Sequence, residues 1–396
     1  MNLLSPEIKK FTSGSSMIRK MFEAGIELKK KFGEDNVYDF SLGNPDLAPP
    51  LSVKEALEEL ASEADRPFAL GYMPNAGYAE TRSALAEKIT QEQNVNTPPE
   101  NIVATCGAAG GLNVLFRAVL SAGDEVICPS PYFVEYGFYV GNFGGKLVPV
   151  KTKLPDFSLD LEAIDRAINS NTRAIIINSP NNPTGQIYTK DEISALGEIL
   201  KSHSAKHGRP IFLVSDEPYR FLNFDNVEIP SVFEAYEVSI VIGSFSKSLS
   251  LAGERIGYVA VNPALENSAE LMNGLIMTNR ILGFVNAPAV AQKLIQKCLH
   301  SEVDVKIYAG RRDLMAQVLD NAGIEYIMPR GAFYFFPKSP VADEKIFIDA
   351  LLKERILAVS GAGFGMPGYF RLAFCVDEKS IINSAESFKR AVAAVK

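Results

Sequence analysis

At 396 residues and 47% hydrophobic content, the chain has material for roughly two or three packed units around a large core, and it reads as a globular protein. Its formal charge of −7 comes from 40 basic and 47 acidic residues spread without a basic stripe or a like-charge block, which argues against nucleic acid or anionic membrane as partners. No run approaches the ~18 apolar residues that a bilayer span requires.

In chain order, the opening MNLLSPEIKKFTSG has neither a long apolar h-region nor a small-residue cleavage pattern, and it reads as mature sequence. A helix is predicted from Ser16 to Phe32, with Ile18, Met21, Phe22 and Ile26 on one face. From Pro99 to Val261, β-branched runs alternate with amphipathic stretches: NIVATC, DEVICP, KLVPV, RAIIIN, IFLVSD, SIVIGS and RIGYVAV. Several are apolar almost throughout, the pattern of strands buried on both faces of a mostly parallel sheet. Helices between them supply the crossovers that parallel strands need; they include Gly111 to Leu120 and Thr189 to His207, the latter with Thr189 as N-cap and Gly208 as its stop. Longer helical patterns run from Pro263 to Met277 and from Pro288 to Ala322. Beyond Gly323 the texture changes: IEYIMPRGAFYFFPKSP alternates and carries turn residues, a helix is predicted from Asp343 to Glu354, then a strand in YFRLAFCV and a closing helix from Glu378.

The expected fold class is therefore α/β: a large domain with a mostly parallel seven-stranded sheet between helices, plus a smaller α+β domain. The expected division is an N-terminal arm and helix (1–43) packing with the small domain, a large domain (44–322) and a small domain (323–396). The four cysteines are scattered without CxxC spacing in apolar surroundings, as in a protein of the reducing cytoplasm. His203 and His207 have no third ligand nearby in sequence, and no metal site is expected.

Four stretches carry chemistry. In GSFSKSLSLAGERIGY, Lys247 follows a buried strand, where α/β sheets bind ligands. An ordinary lysine, with a pKa of ~10.4, is a poor nucleophile at neutral pH, but out of bulk water and near other cations it can form a Schiff base. Ser244, Ser246 and Arg255 offer two hydroxyls and a planar cation to a phosphate, although on this stretch alone a surface lysine in a serine-rich turn reads equally well. In FLVSDEPYRF, Asp216 ends an apolar strand and needs a cationic or donor partner, with Tyr219 close behind; a helix N-cap is the other reading. In INSPNNPTGQIY, Asn182 can present an amide to a ring oxygen, or simply belong to a tight loop. ATCGAAGGLNVLFRAVL is a strand, a small-residue turn and a helix whose first amides can bind phosphate. GAGFG near Gly361 lacks the spacing of a dinucleotide loop and is rejected.

Together these stretches resemble the pyridoxal-phosphate-dependent aminotransferases of fold type I, class I/II, from about Ser41 to Val376. The resemblance implies pyridoxal 5′-phosphate as cofactor, with Lys247 as the Schiff-base lysine and acid/base and Asp216 as partner of the pyridine nitrogen. It implies Tyr219 and Asn182 as donors to the ring oxygen. Ser244, Ser246, Arg255 and the amides of Ala108 and Ala109 become the phosphate cup, and Tyr132 the aromatic on the ring face. Arg371, mid-strand in GYFRLAFC, becomes the grip on the substrate α-carboxylate, with Gly43 beside it. Tyr72 matches a tyrosine that reaches the neighbouring subunit's cofactor phosphate, which implies a homodimer.

The implied reaction is ping-pong transfer of an α-amino group from an L-amino acid to a 2-oxo acid, with 2-oxoglutarate or pyruvate as the expected acceptor. Arg280 lies one residue out of step with an arginine that binds distal carboxylates across the dimer, so a substrate contact and a helix-end or interface ion pair both stay open. Position 109 is alanine, where some aspartate-specific relatives carry lysine. A β-C–S lyase on the same fold and an effector-binding regulatory module are the rival functions, with a cofactor-free structural protein as a third.

Overall fold

The computed structural model describes residues 3–13 and 17–396. Two helices, α1 (Pro6–Ser13) and α2 (Met17–Phe32), lead to a short strand β1 (Tyr38–Asp39) and helices α3 (Leu51–Glu63) and α4 (Ala79–Gln93). The alternating region follows: β2 (Ile102–Thr105), α5 (Gly107–Val119), β3 (Glu125–Ser130), α6 (Tyr136–Gly141), β4 (Lys146–Lys151), α7 (Leu161–Ala167), β5 (Thr172–Asn178), α8 (Lys190–His207), β6 (Phe212–Asp216), α9 (Val232–Ala235), β7 (Ser239–Ser244) and β8 (Gly257–Val261). Then come α10 (Ser268–Ile281), α11 (Ala289–Cys298), α12 (Val305–Ala322), β9 (Tyr334–Phe335), α13 (Glu344–Lys353), β10 (Ile356–Leu357), β11 (Val359–Ser360), β12 (Phe370–Ala373), α14 (Glu378–Asn383) and α15 (Ala385–Ala393).

Each of the seven predicted runs is a strand of one sheet, ordered β2-β8-β7-β6-β5-β3-β4. Only β8 runs antiparallel to its neighbours. The central strands β5 to β8 are almost wholly buried, which is why they carry no polar alternation, whereas edge strand β4 buries only one of its six residues. A core from Val53 to Leu299 surrounds this sheet, and a second core joins Phe40, Tyr219 and Leu222 to residues between Val303 and Val392.

Helix α8 begins as predicted, with Thr189 and Glu192 forming a reciprocal capping box and Gly208 ending it at φ 62°. Four other expectations shift. Helix α5 starts at Gly107 rather than Gly111, and its glycines allow close packing: a Cβ on Gly111 would stand 3.2 Å from Thr105 Oγ1 and Val259 Cγ2 of the sheet, and one on Gly110 3.2 Å from Cys106 Cβ. The pattern from Pro263 yields a helix only from Ser268, and the pattern from Pro288 divides into α11 and α12, the second capped by Asp304. The alternating stretch after Gly323 forms just the two-residue strand β9.

Ser16 and the side chains of Ile18 and Phe22 lie outside the described residues. Of the predicted face of α2, Met21 packs on the second core but Ile26 is exposed. The contact runs instead through Gly25, where a Cβ would meet Asp39 at 3.2 Å and Leu357 at 3.3 Å. Among the described residues no helix is long and apolar enough to cross a membrane, and no cluster of His, Cys, Asp or Glu could hold a metal ion.

Candidate active site

Parallel strands β5, β6 and β7 end side by side, with Asn178 opposite Asp216 and Asp216 opposite Ile242. Their carboxyl ends therefore deliver Asn182, Asp216, Ser244, Ser246 and Lys247 to one cavity of about 360 Å³, the place where α/β sheets bind ligands. The same cavity is lined by Gly43, Ala108, Ala109, Tyr219, Arg255 and Arg371, so residues separated by more than 300 positions meet.

Asp216 is 5% exposed. Its Oδ2 accepts a 2.6 Å hydrogen bond from Tyr136, while Oδ1 is buried without a partner. Burial pushes its carboxyl up to about 7, with the Tyr136 bond pulling the other way and Glu217 adding to the rise. A carboxylate so placed stabilises a cationic N–H donor, which a protonated pyridine is.

Lys247 Nζ donates to the Gly43 carbonyl at 2.5 Å and sits 5.5 Å from the Phe333 ring centre. Burial brings its amine down to about 8, opposed by the Cys375 thiol and reinforced by the Arg371 and Arg255 cations. Gly43 is required sterically, because a Cβ there would overlap the Tyr334 hydroxyl, which is itself 2.9 Å from the Tyr219 hydroxyl. Gly43→Ala is expected to cost about 1–3 kcal/mol of stability in a denaturant titration, since both tyrosines are buried and have little room to yield.

Arg371 is 2% exposed on β12. It donates from Nη1 to Asn182 Oδ1 at 3.0 Å and from Nη2 to the Ser41 carbonyl at 2.6 Å, and its Nε has no partner. The guanidinium lies over Tyr334 and Phe364, with ring centres 4.6 and 4.8 Å away. No carboxylate pairs with it among the described residues; burial holds its pKa below the ordinary value.

The first turn of α5 brings Ala108 and Ala109 to the same cavity as Arg255. The approach is so close that a Cβ on Gly107 (φ 70°) would stand 2.8 Å from Arg255 Nη2. Helix amides, a guanidinium and the Ser244 and Ser246 hydroxyls make a cradle suited to a phosphate dianion. The orphaned Asp216 oxygen, the amine lowered by burial and this cradle together fit pyridoxal phosphate.

Three sequence expectations fall outside the cavity. Phe133, not Tyr132, lines it; the segment after β3 turns Tyr132 away, its ring against Gly365 and its amide bonded to the Phe364 carbonyl. Tyr72 is 93% exposed and does not line its own chain's cavity. Arg280, exposed in the last turn of α10, contacts Met277 Sδ at 3.4 Å and forms no ion pair among the described residues. Conversely, the sequence reading missed Tyr136, Tyr334 and Asn178. Asn178 donates to the Asp216 carbonyl at 2.7 Å and accepts from the Asn182 amide at 2.6 Å, fixing two strand ends together. Its position as the polar last residue of RAIIIN was the available signal.

Residues 35–388 match the family described as aminotransferase class I and II. The chain is 33% identical over 381 residues to the probable aspartate/prephenate aminotransferase of Aquifex aeolicus, covering 92% of this chain and 93% of that one. It is 32% identical over 383 residues to the aspartate aminotransferase of Bacillus subtilis, with 92% and 93% covered. Among solved structures, an amino transferase from Eubacterium rectale superposes at a TM-score of 0.95 and 38% identity, covering 100% of this chain and 99% of that one. The aspartate aminotransferase from Thermus thermophilus with maleate superposes at 0.88 and 30% identity, with 99% and 100% covered. The chain thus belongs to the class I and II aminotransferase family and is a pyridoxal-phosphate-dependent transaminase.

Proposed function

We propose that this enzyme passes the α-amino group of an L-amino acid to 2-oxoglutarate or pyruvate, and that the cavity residues divide the work as follows. The observation that carries the reading is the buried Arg371, a cation without a carboxylate partner among the described residues, aimed into the same cavity as a lysine whose pKa is lowered to about 8. Arg371 and Asn182 hold the substrate α-carboxylate, which presents the α-carbon to Lys247. Lys247 would take the proton from the α-carbon and return it at the cofactor's carbonyl carbon, and water would supply the oxygen of the oxo acid as the amino group stays on the cofactor. Asp216 holds the ring nitrogen protonated, steadied by Tyr136. Tyr219 and Asn182 donate to the ring oxygen, Phe133 covers the ring face, and Ser244, Ser246, Arg255 and the α5 amides anchor the phosphate. Pyridoxal phosphate supplies the electron sink for the pair left at the α-carbon.

A homodimer fits the exposed apolar side chains Phe68, Leu70, Tyr72, Met277 and Ile281. Asn279 donates to the Asn75 carbonyl, which brings the 68–75 segment beside α10. Tyr72 then reaches the partner's phosphate cradle, and Arg280, next to Met277, is a cation of that interface. The Thermus relative's structure with maleate, a dicarboxylate, supports keeping 2-oxoglutarate beside pyruvate as an acceptor. We also take the small domain to include α12, which packs in the second core, and assign the enzyme to the cytoplasm on its four free cysteines.

The test is a half-reaction screen. Mixing the cofactor-loaded enzyme with single amino acids should convert the bound pyridoxal form to the pyridoxamine form, read by absorbance, and an oxo acid should reverse it. Release of ammonia without any acceptor oxo acid would overturn the reading in favour of a lyase.

A further inference from the structure

Five charged side chains line the cavity among the described residues: Glu135, Asp216, Lys247, Arg255 and Arg371. Four have a task in the chemistry described above. Arg255 faces the phosphate, Asp216 the ring nitrogen, Lys247 the reacting carbons and Arg371 the α-carboxylate. Glu135 is left over, and it differs from the others in having no side-chain hydrogen bond or ion pair among the described residues.

Its surroundings are specific. Glu135 immediately precedes α6, with Phe133 and Tyr139 lining the same cavity and Ala109 and Leu112 contributed by α5. The carboxylate is half-buried, and burial raises its pKa above the ordinary value. The nearby Tyr139 phenol is in turn pushed above its ordinary range, chiefly by burial and then by the Glu135 charge. A lone carboxylate of this kind is stabilised by a cation brought to it, and aromatic rings beside it add a cation–π component. With the carboxylate, amino group and cofactor contacts of a bound amino acid already assigned, its side chain is what remains to occupy the rest of the cavity. Arg255, whose charge also reaches Tyr139, is taken by the phosphate, which leaves no uncommitted cation among the described lining residues to receive a distal carboxylate.

We propose that Glu135 is a specificity-determining residue, whose carboxylate receives the positively charged end of the donor's side chain, so that the preferred donor is an L-amino acid bearing a side-chain ammonium. This rests on the aminotransferase half-reaction with Arg371 on the α-carboxylate. The same carboxylate repels a distal carboxylate, which makes pyruvate the better of the two acceptors.

The test compares L-lysine and L-ornithine with L-norleucine, an uncharged donor of similar size, and with L-glutamate, in single-turnover half-reactions. Wild-type enzyme is expected to favour the better of the two diamino acids over norleucine by at least about tenfold in kcat/KM, with glutamate poorest. Glu135→Gln should lower that diamino acid's value by about 10- to 100-fold and leave norleucine within about threefold. The unchanged norleucine rate shows that the variant is folded and loaded. Equal loss for the charged and uncharged donors overturns the proposal, as does wild-type enzyme that does not favour either diamino acid over norleucine. A variant with unchanged donor preference but a weakened dimer, by analytical ultracentrifugation, also overturns it, by assigning the Glu135 partner to a second copy of the chain. Failure of every donor to convert the cofactor would instead refute the aminotransfer reading itself.

Discussion

Replacement of Lys247 by alanine is expected to cut amino-group transfer by at least about 10⁴-fold while leaving the cofactor bound. Both halves follow from geometry. The phosphate cradle and Asp216 would hold the cofactor independently of Lys247, so binding is expected to survive. Among the described cavity-lining residues, however, Lys247 is the only one with an amine, and its pKa suits both taking and returning a proton. With that pKa at about 8, about a tenth of the amine is unprotonated at pH 7, against about 1 in 2,500 for an unperturbed lysine. The rate at which apoenzyme captures pyridoxal phosphate should accordingly rise about tenfold per pH unit below pH 8 and level off above it. Stopped-flow absorbance measures this directly, and a rate still climbing steeply at pH 10 would show that the cavity does not lower the amine. Retained turnover in Lys247→Ala would remove the lysine from the proton transfer altogether.

The sheet was legible because a strand covered on both faces has only apolar residues to offer, and RAIIIN or SIVIGS can be little else. Lys247, Asp216 and Asn182 were legible for a related reason: each lies within a few residues of such a strand's carboxyl end, where the chain leaves the core carrying a polar group. The errors arise where tertiary contacts decide. Tyr132 and Phe133 are adjacent aromatics in an extended segment, and which one faces the cavity depends on Gly365, a residue far away in the chain. Tyr334 sits in AFYFF, four aromatics in a row, of which only one has a hydroxyl, the group that meets Tyr219. The first turn of α5, Gly107 to Gly110, is not legible because glycine disfavours helix in isolation, yet here closeness of Gly107 to Arg255 and of Gly110 to Cys106 leaves no room for a side chain. Glu135 carries no sequence signal at all, since an acid beside two tyrosines and a phenylalanine reads as surface until the cavity is seen.

Arg371 offers the sharpest separation of function from stability. A guanidinium has five N–H donors; two are used internally, on Asn182 and Ser41, and the remaining three, including the partnerless Nε, can serve a carboxylate. Arg371→Lys keeps the charge but loses the planar fork, and kcat/KM for the amino-acid half-reaction is expected to fall by about 10²- to 10³-fold. A primary amine without a carboxylate should react with wild type and variant alike, because the lost contact is to that group. The apoprotein should respond in the opposite direction to Arg371→Met. Burying a cation without a counter-ion costs free energy, and an apolar side chain of similar length between Tyr334 and Phe364 removes that cost, so the melting temperature of the apo form is expected to rise while activity toward amino acids is lost. A fall in both would mean that the bonds to Asn182 and Ser41 hold the domains together and that Arg371 is placed there for the fold. A rise in stability with loss of activity is what a cation retained for its substrate produces.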